Sequence, residues 1–188
     1  MSFYTSLSGL KGAQTDLSVI ANNVANAATP GFRREEIKFE AMLSNSSSES
    51  VAFASPGDSY IKRDPGQMIR TGNPLDVAVE GEGWLAINTP VGTVYTRDGR
   101  MKMTPQGELR TLADHPVLDA GGAPMQLDPE GGPPVIARDG MIWQGDQQVG
   151  AIGLFAIDPA AKLQRHDNSG VIPDRPAVAI LDFVTNGV

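Results

Sequence analysis

Near the N-terminus, residues Phe3, Ser6, Leu10, Ala13, Leu17, Ile20, Val24 and Ala27 recur at alternating three- and four-residue intervals, and all but Ser6 are apolar. This is the narrow seam of a coiled-coil helix, not the broader stripe of an ordinary surface helix. The opposite face carries Ser8, Lys11, Thr15, Asp16, Ser18, Asn22 and Asn23. Two charges on so long a helix are few for a face that only meets water. Pro30 disfavours helix at Thr29, and Gly31 follows, so the helical segment is placed at residues 1–31. Ordering each residue costs roughly 1–2 kcal/mol of backbone entropy. Burying Phe3, Leu10, Leu17, Ile20 and Val24 returns roughly 1.5–3 kcal/mol each. The seam alone falls short, so the helix is expected to gain order by meeting other helices.

Residues 32–74 read as an arm and linker. Phe32, Ile37, Phe39, Met42 and Leu43 fit no single period, which leaves 32–43 open between a short helix and an extended arm. The serine-rich run at 44–50 has no packing capacity and reads as a flexible linker. Residues 51–74 hold short β-like runs cut by Pro-Gly and Asn-Pro turns.

From Leu75 the pattern becomes short strands separated by turn residues. Expected strands include 75–79, 84–87, 93–96, 100–103, 108–112, 117–118, 124–127, 141–143 and 147–149. Arg97-Asp98-Gly99 and Gly145-Asp146 read as hairpin turns. The run 150–157, GAIGLFAI, is the most apolar and is expected to be a central strand. The fold class is therefore mainly β: an antiparallel β-sandwich or partly open barrel over 75–188, preceded by a coiled-coil-type α-helix on an extended arm.

Composition narrows the function. The 21 glycines and 14 prolines suit a turn-rich β fold, and the lack of cysteine removes disulfides and thiolate chemistry. Residues 71–188 hold eight basic and fifteen acidic residues, so the formal charge of −7 resides there. An acidic body repels nucleic-acid backbones and anionic lipid. No run reaches the roughly 20 apolar residues of a membrane span, and the N-terminus lacks the basic start of a cleaved signal peptide.

Candidate catalytic chemistry is thin. Gly81-Glu82-Gly83-Trp84-Leu85-Ala86 matches a dinucleotide fingerprint, but Trp84 to Asn88 reads as strand, not helix. His115 and His166 lack the partners of a helical zinc site. No nucleophile elbow is present. Catalytic residues, cofactor-binding residues, metal ligands and cofactors are therefore all read as none, and the chain as not an enzyme. Trp84 and Trp143 lie in strand-like runs and are expected in the core.

Two stretches carry a family resemblance. Ile20 to Asn26 (IANNVAN) and Thr29 to Arg34 (TPGFRR) resemble the N-terminal signature of bacterial flagellar rod and hook axial proteins. Thr71 to Trp84, Thr93 to Arg100, and Val149 to Ile157 resemble segments of that family's β-domain. The single body and Gly121 to Pro129 are most similar to the proximal-rod type. The resemblance implies a structural part of the basal-body rod, exported by a type III apparatus without a cleaved signal peptide. It implies copies of itself and other rod proteins as partners, with neither nucleic acid nor direct membrane insertion. The family's chain returns into a C-terminal heptad helix; here Leu181 to Val188 stand where that return begins, so the helix is expected to be missing from this sequence.

The expected assembly residues are Phe3, Leu10, Leu17, Ile20 and Val24 for the seam. Asn22, Asn23 and Asn26 are expected to bond between helices, and Gly31 and Phe32 to fix the exit from the helix. The rival reading is an extracytoplasmic carbohydrate-binding β-sandwich with an amphipathic helical tether, which requires exposed, coplanar aromatics.

Overall fold

The computed structural model describes residues 2–44, 51–65 and 68–181, with side chains at 10–38, 59–65 and 68–181. The side chain of Phe3, all of the serine-rich linker beyond Ser44, and the chain end after Leu181 lie outside the described residues. The chain forms two compact units, Met1–Ala28 with Arg33–Arg63, and Thr29–Phe32 with Asp64–Val188.

The first unit is a helix and a β-ribbon. Helix α1 spans Ser2–Ala25. It closes before Pro30: the Asn26 backbone N–H makes a last helical bond to the Asn22 carbonyl, which also accepts from the Asn26 side-chain Nδ2, and the next N–H, of Ala27, tightens onto the Val24 carbonyl. Strands β1 (Glu35–Ser44) and β2 (Val51–Ile61) pair antiparallel, with a register shift between Ile37 and Phe39. The stretch left open between a short helix and an extended arm is thus extended, as a strand, and the shift explains why its apolar residues keep no constant period. Ile61 is buried, while Arg34, Glu36, Lys38, Tyr60 and Lys62 share the ribbon's opposite face. Arg33 closes the base of the ribbon by donating from Nη1 to the Arg63 carbonyl at 3.0 Å.

Among its described residues the second unit holds strands and no helix. Strands β3 (Gly83–Thr89), β4 (Gly92–Thr96), β5 (Met101–Met103), β6 (Leu109–Thr111) and β7 (Pro134–Ile136) are followed by β8 (Met141–Gln144) and β9 (Gln147–Ala151). Strands β10 (Leu154–Ala156), β11 (Leu163–His166), β12 (Gly170–Pro173) and β13 (Val178–Ile180) complete it. A six-stranded sheet has the order β11-β12-β4-β3-β10-β13; β5-β6 and β7-β8-β9 form smaller sheets. Every pairing is antiparallel. The class is mainly β with one N-terminal helix, and no sheet closes into a barrel among the described residues.

Strand β3 is the spine. Its apolar residues run consecutively because both faces are covered. Leu85 and Ile87 enter a core with Val94, Met101, Leu109, Ile142, Ile152 and Leu154. Ala86 faces the other way, with Leu118 and Phe155, and the Phe155 ring meets Tyr95 edge-on at 5.6 Å. Buried Gln144 supplies polar closure: Oε1 accepts from the Asp128 N–H at 3.0 Å, and Nε2 donates to the Asp128 and Gly132 carbonyls.

Gly145-Asp146 is the tight loop between β8 and β9, with Gly145 at φ +59°. Four other expectations are corrected. Arg97-Asp98-Gly99 does not join two paired strands: β4 pairs with β3 and β12, and β5 pairs with β6. The chain leaves the sheet there because Gly99, lacking a Cβ, lies against the Val77 carbonyl, and Asp98 holds Arg100 bidentately at 2.6 and 2.9 Å. That contact also limits the expected strand at 75–79 to a single bridge at Val77. The run 150–157 is two strands in two sheets, because Gly153 presses on the Asp119 carbonyl and donates to Leu118. Trp143 is exposed on the outer face of β8 opposite Val135, whereas Trp84 is buried.

Candidate assembly surface

Helix α1 is amphipathic in an inverted sense. Leu10, Leu17, Ile20 and Val24 are 68%, 68%, 57% and 70% exposed. The half-buried row is Gly12, Asp16, Val19 and Asn23, ending at buried Asn26. These positions also follow three- and four-residue steps, so they form a stripe of their own. The helix thus presents small and polar residues to its own chain and leaves its apolar seam uncovered. Globular domains bury the opposite face.

The polar stripe is fastened by one side chain. Asn23 Nδ2 donates to the Glu35 carbonyl at 2.8 Å, and Asn23 Oδ1 accepts from the Glu35 N–H at 2.9 Å. Glu35 can receive this pair because its neighbour Arg34 bonds across the ribbon to Lys62, which turns the Glu35 groups outward. The amide therefore caps the outer edge of β1 where another strand would otherwise pair. Asn22 is half-buried and its backbone carbonyl takes both Asn26 donors.

On the ribbon's polar face, Glu36 gathers its neighbours. It accepts from Tyr60 Oη at 2.7 Å and pairs with Arg34 at 3.1 Å and Lys62 at 3.3 Å. The Tyr60 hydrogen bond, aided by Lys62 and Arg34, holds the Glu36 carboxyl below its ordinary value. The same bond raises the Tyr60 phenol. Lys38 Nζ lies 5.4 Å above the Tyr60 ring.

Gly31 and Phe32 belong to the second unit. Thr29 to Phe32 form a turn closed by Phe32 N–H to the Thr29 carbonyl at 3.2 Å, with Gly31 at φ +71°. Proline second and a left-handed glycine third is the composition of a type II turn. A Cβ on Gly31 would fall 2.1 Å from the Arg97 carbonyl carbon, so the turn's backbone rests directly on that of Arg97 and Asp98. Phe32 lies under Arg165, with 4.5 Å from guanidinium carbon to ring centroid. Arg97 and Arg165 carried no local signal in the sequence, because their partners are remote in the chain.

Among the described residues no group of three His, Cys, Asp or Glu could hold a metal. Gly83 of the glycine motif opens strand β3, so no helix N-terminus follows it to face a pyrophosphate. Arg97 covers the Trp84 ring at 5.1 Å, which removes Trp84 as a sugar platform. The arrangement offers burial: covering the four exposed seam residues releases on the order of 4–8 kcal/mol per chain. A pair of such helices would gain about twice that, against an estimated 4–15 kcal/mol for association, so the balance for a single pair is close.

Comparison with known proteins matches residues 3–33 to the family model "Flagella basal body rod protein". Residues 78–144 match the model "Flagellar hook protein FlgE/F/G D1 domain". A flagellar basal-body rod protein FlgF from Mesorhizobium japonicum is 49% identical over 187 residues, covering 100% of this chain and 78% of the relative. The FlgF of Rhizobium meliloti is 38% identical, covering 98% and 77%. That of Escherichia coli is 38% identical, covering 74% and 55%.

Proposed function

We infer the assembly mode from a premise the similarities supply: the chain belongs to the FlgF family of flagellar basal-body rod proteins and is a structural component of the rod. Its family members are rod parts, and its place is the flagellar basal body. The proposal is that α1 is the assembly element. Leu10, Leu17, Ile20 and Val24, extended by Phe3, meet helices of neighbouring subunits, which are copies of this chain and other rod proteins. Residues 1–31 act as the assembly segment, 32–74 as the arm, and 75–188 as the outer body.

The observation that carries this reading is the exposed seam. Four large apolar side chains in heptad register on one helix require a cover. Asn23 spends one acceptor and one donor on Glu35, which leaves its second N–H and second lone pair for an adjacent helix. Gly31 and Phe32 set where the chain leaves the helical segment. The role is mechanical, without a catalytic step: torque passes through many small buried contacts. Export follows the type III route, with the N-terminal segment retained rather than cleaved.

The test is the double substitution Leu17→Asp, Ile20→Asp in cells relying on this protein. The expected outcome is loss of rod incorporation and motility, while circular dichroism and melting of the purified chain retain the β signal. Normal motility with the double variant in rods refutes the proposal.

A further inference from the structure

The turn at 29–32 rests on two points that the sequence keeps far apart, and the sheet links them. The first is the Arg97–Asp98 backbone beneath Gly31. It is rigid because Arg97 is buried over Trp84 and donates to the Val79 carbonyl at 3.1 Å and the Gly81 carbonyl at 2.6 Å. The second is the Arg165 guanidinium over Phe32. Between them, Thr96 Oγ1 accepts from the Asp98 N–H at 3.1 Å and contacts Ser169 Oγ at 3.0 Å. Ser169 lies in the loop that joins β11, which carries Arg165, to β12, which pairs with β4. The two resting points are therefore braced against each other.

We propose that Arg165 is a positioning residue which clamps the Thr29–Phe32 turn, so that ledge and clamp hold this turn as a two-point strap on the second unit. Its action is through the ring face of Phe32, which attracts a guanidinium electrostatically. Glycine at 31 is required because any side chain lifts the turn off the ledge, and the ring at 32 is required because an aliphatic residue has no quadrupole. The inference does not depend on what α1 binds; it concerns this chain alone.

The experiment is amide hydrogen exchange by NMR on the full chain. The variants are Arg165→Met, Arg165→Lys, Phe32→Leu, and Arg165→Met with Phe32→Leu. Arg165→Met and Phe32→Leu are each expected to speed exchange of the Phe32 amide about two- to thirty-fold. The double variant is expected to match the larger single effect, not their product, because one interaction is lost once. Arg165→Lys keeps a cation and retains most protection. The amides of Ile87 and Val94 are expected to hold their rates. The proposal is overturned if the Phe32 amide is unmoved in Arg165→Met, if the two effects multiply, or if core amides accelerate in parallel.

Discussion

Glu36 and Tyr60 face each other across the ribbon and set its response to pH. The folded carboxyl titrates below its ordinary value of 4.5 because it accepts from Tyr60 and faces Lys62 and Arg34. A depressed acid contributes stability that is fully present above its unfolded value and is lost as pH falls through the folded one. Acidification from neutrality should therefore loosen the ribbon below about pH 4.5, read from Tyr60 ring resonances, and Glu36→Gln should flatten that transition. Tyr60 behaves in the opposite sense: its phenol is raised by the same bond, so that contribution persists below pH 10 and fades above it. Asn23 makes a sharper case. Asn23→Leu strands the N–H and carbonyl of Glu35, at a cost of roughly 1–3 kcal/mol. Asn23→Asp keeps the acceptor but sets a carboxylate against the Glu35 carbonyl, so it should also destabilise the ribbon. Faster exchange of the Glu35 amide in both variants supports the brace; unchanged exchange rules it out.

Among elements, the Thr29–Phe32 turn offers a direct comparison of two glycines. Gly31→Ala places a methyl against the Arg97 carbonyl at a left-handed φ, so overpacking adds to backbone strain and should lower stability by about 2–4 kcal/mol in chemical denaturation. Gly72→Ala, also left-handed but with open space around it, should cost about 1 kcal/mol. Equal costs at both sites would mean that the Arg97–Asp98 ledge does not support the turn. The elements also mark how far the sequence could be read. Helix α1 was legible because heptad spacing is local and needs no knowledge of what the helix packs against. The Gly145-Asp146 loop was legible because a two-residue turn is fixed by its own residues. Arg97-Asp98-Gly99 misled because a turn-like composition does not reveal which strands it separates, and the contact of Gly99 with Val77 is tertiary. GAIGLFAI misled because hydrophobicity cannot show that Gly153 meets Asp119 from elsewhere in the chain. Trp143 reads as a core residue in the sequence because alternation fixes two faces but does not say which is covered. Arg165 over Phe32 and Asn23 on Glu35 were invisible for the same reason: each joins residues that only folding brings together.

The whole molecule carries its charge unevenly. The excess of acidic residues in 71–188 sets like-charged bodies against one another in any assembly, while α1 contributes one lysine and one aspartate to its own contacts. Association driven by the seam is thus hydrophobic attraction opposed by long-range repulsion. Salt screens the second and leaves the first, since the Debye length falls from about 30 Å at 0.01 M to about 10 Å at 0.1 M. Self-association of the purified chain, followed by analytical ultracentrifugation, should rise between those salt concentrations. A fall over the same range would mean that attractive ion pairs, rather than the seam, hold the subunits together.

We propose that the α1 seam is open in the free chain and covered in the rod. The chain has no cysteine, so Leu17→Cys gives a unique reporter at the middle of the seam. Its rate of maleimide labelling, measured on the monomeric chain at low salt and again on isolated basal bodies, compares the two states at one atom. An open seam predicts rapid labelling of the free chain, and its burial predicts strong protection in the rod. A thiol already protected in the monomer, or labelled equally fast in the rod, would contradict the claim.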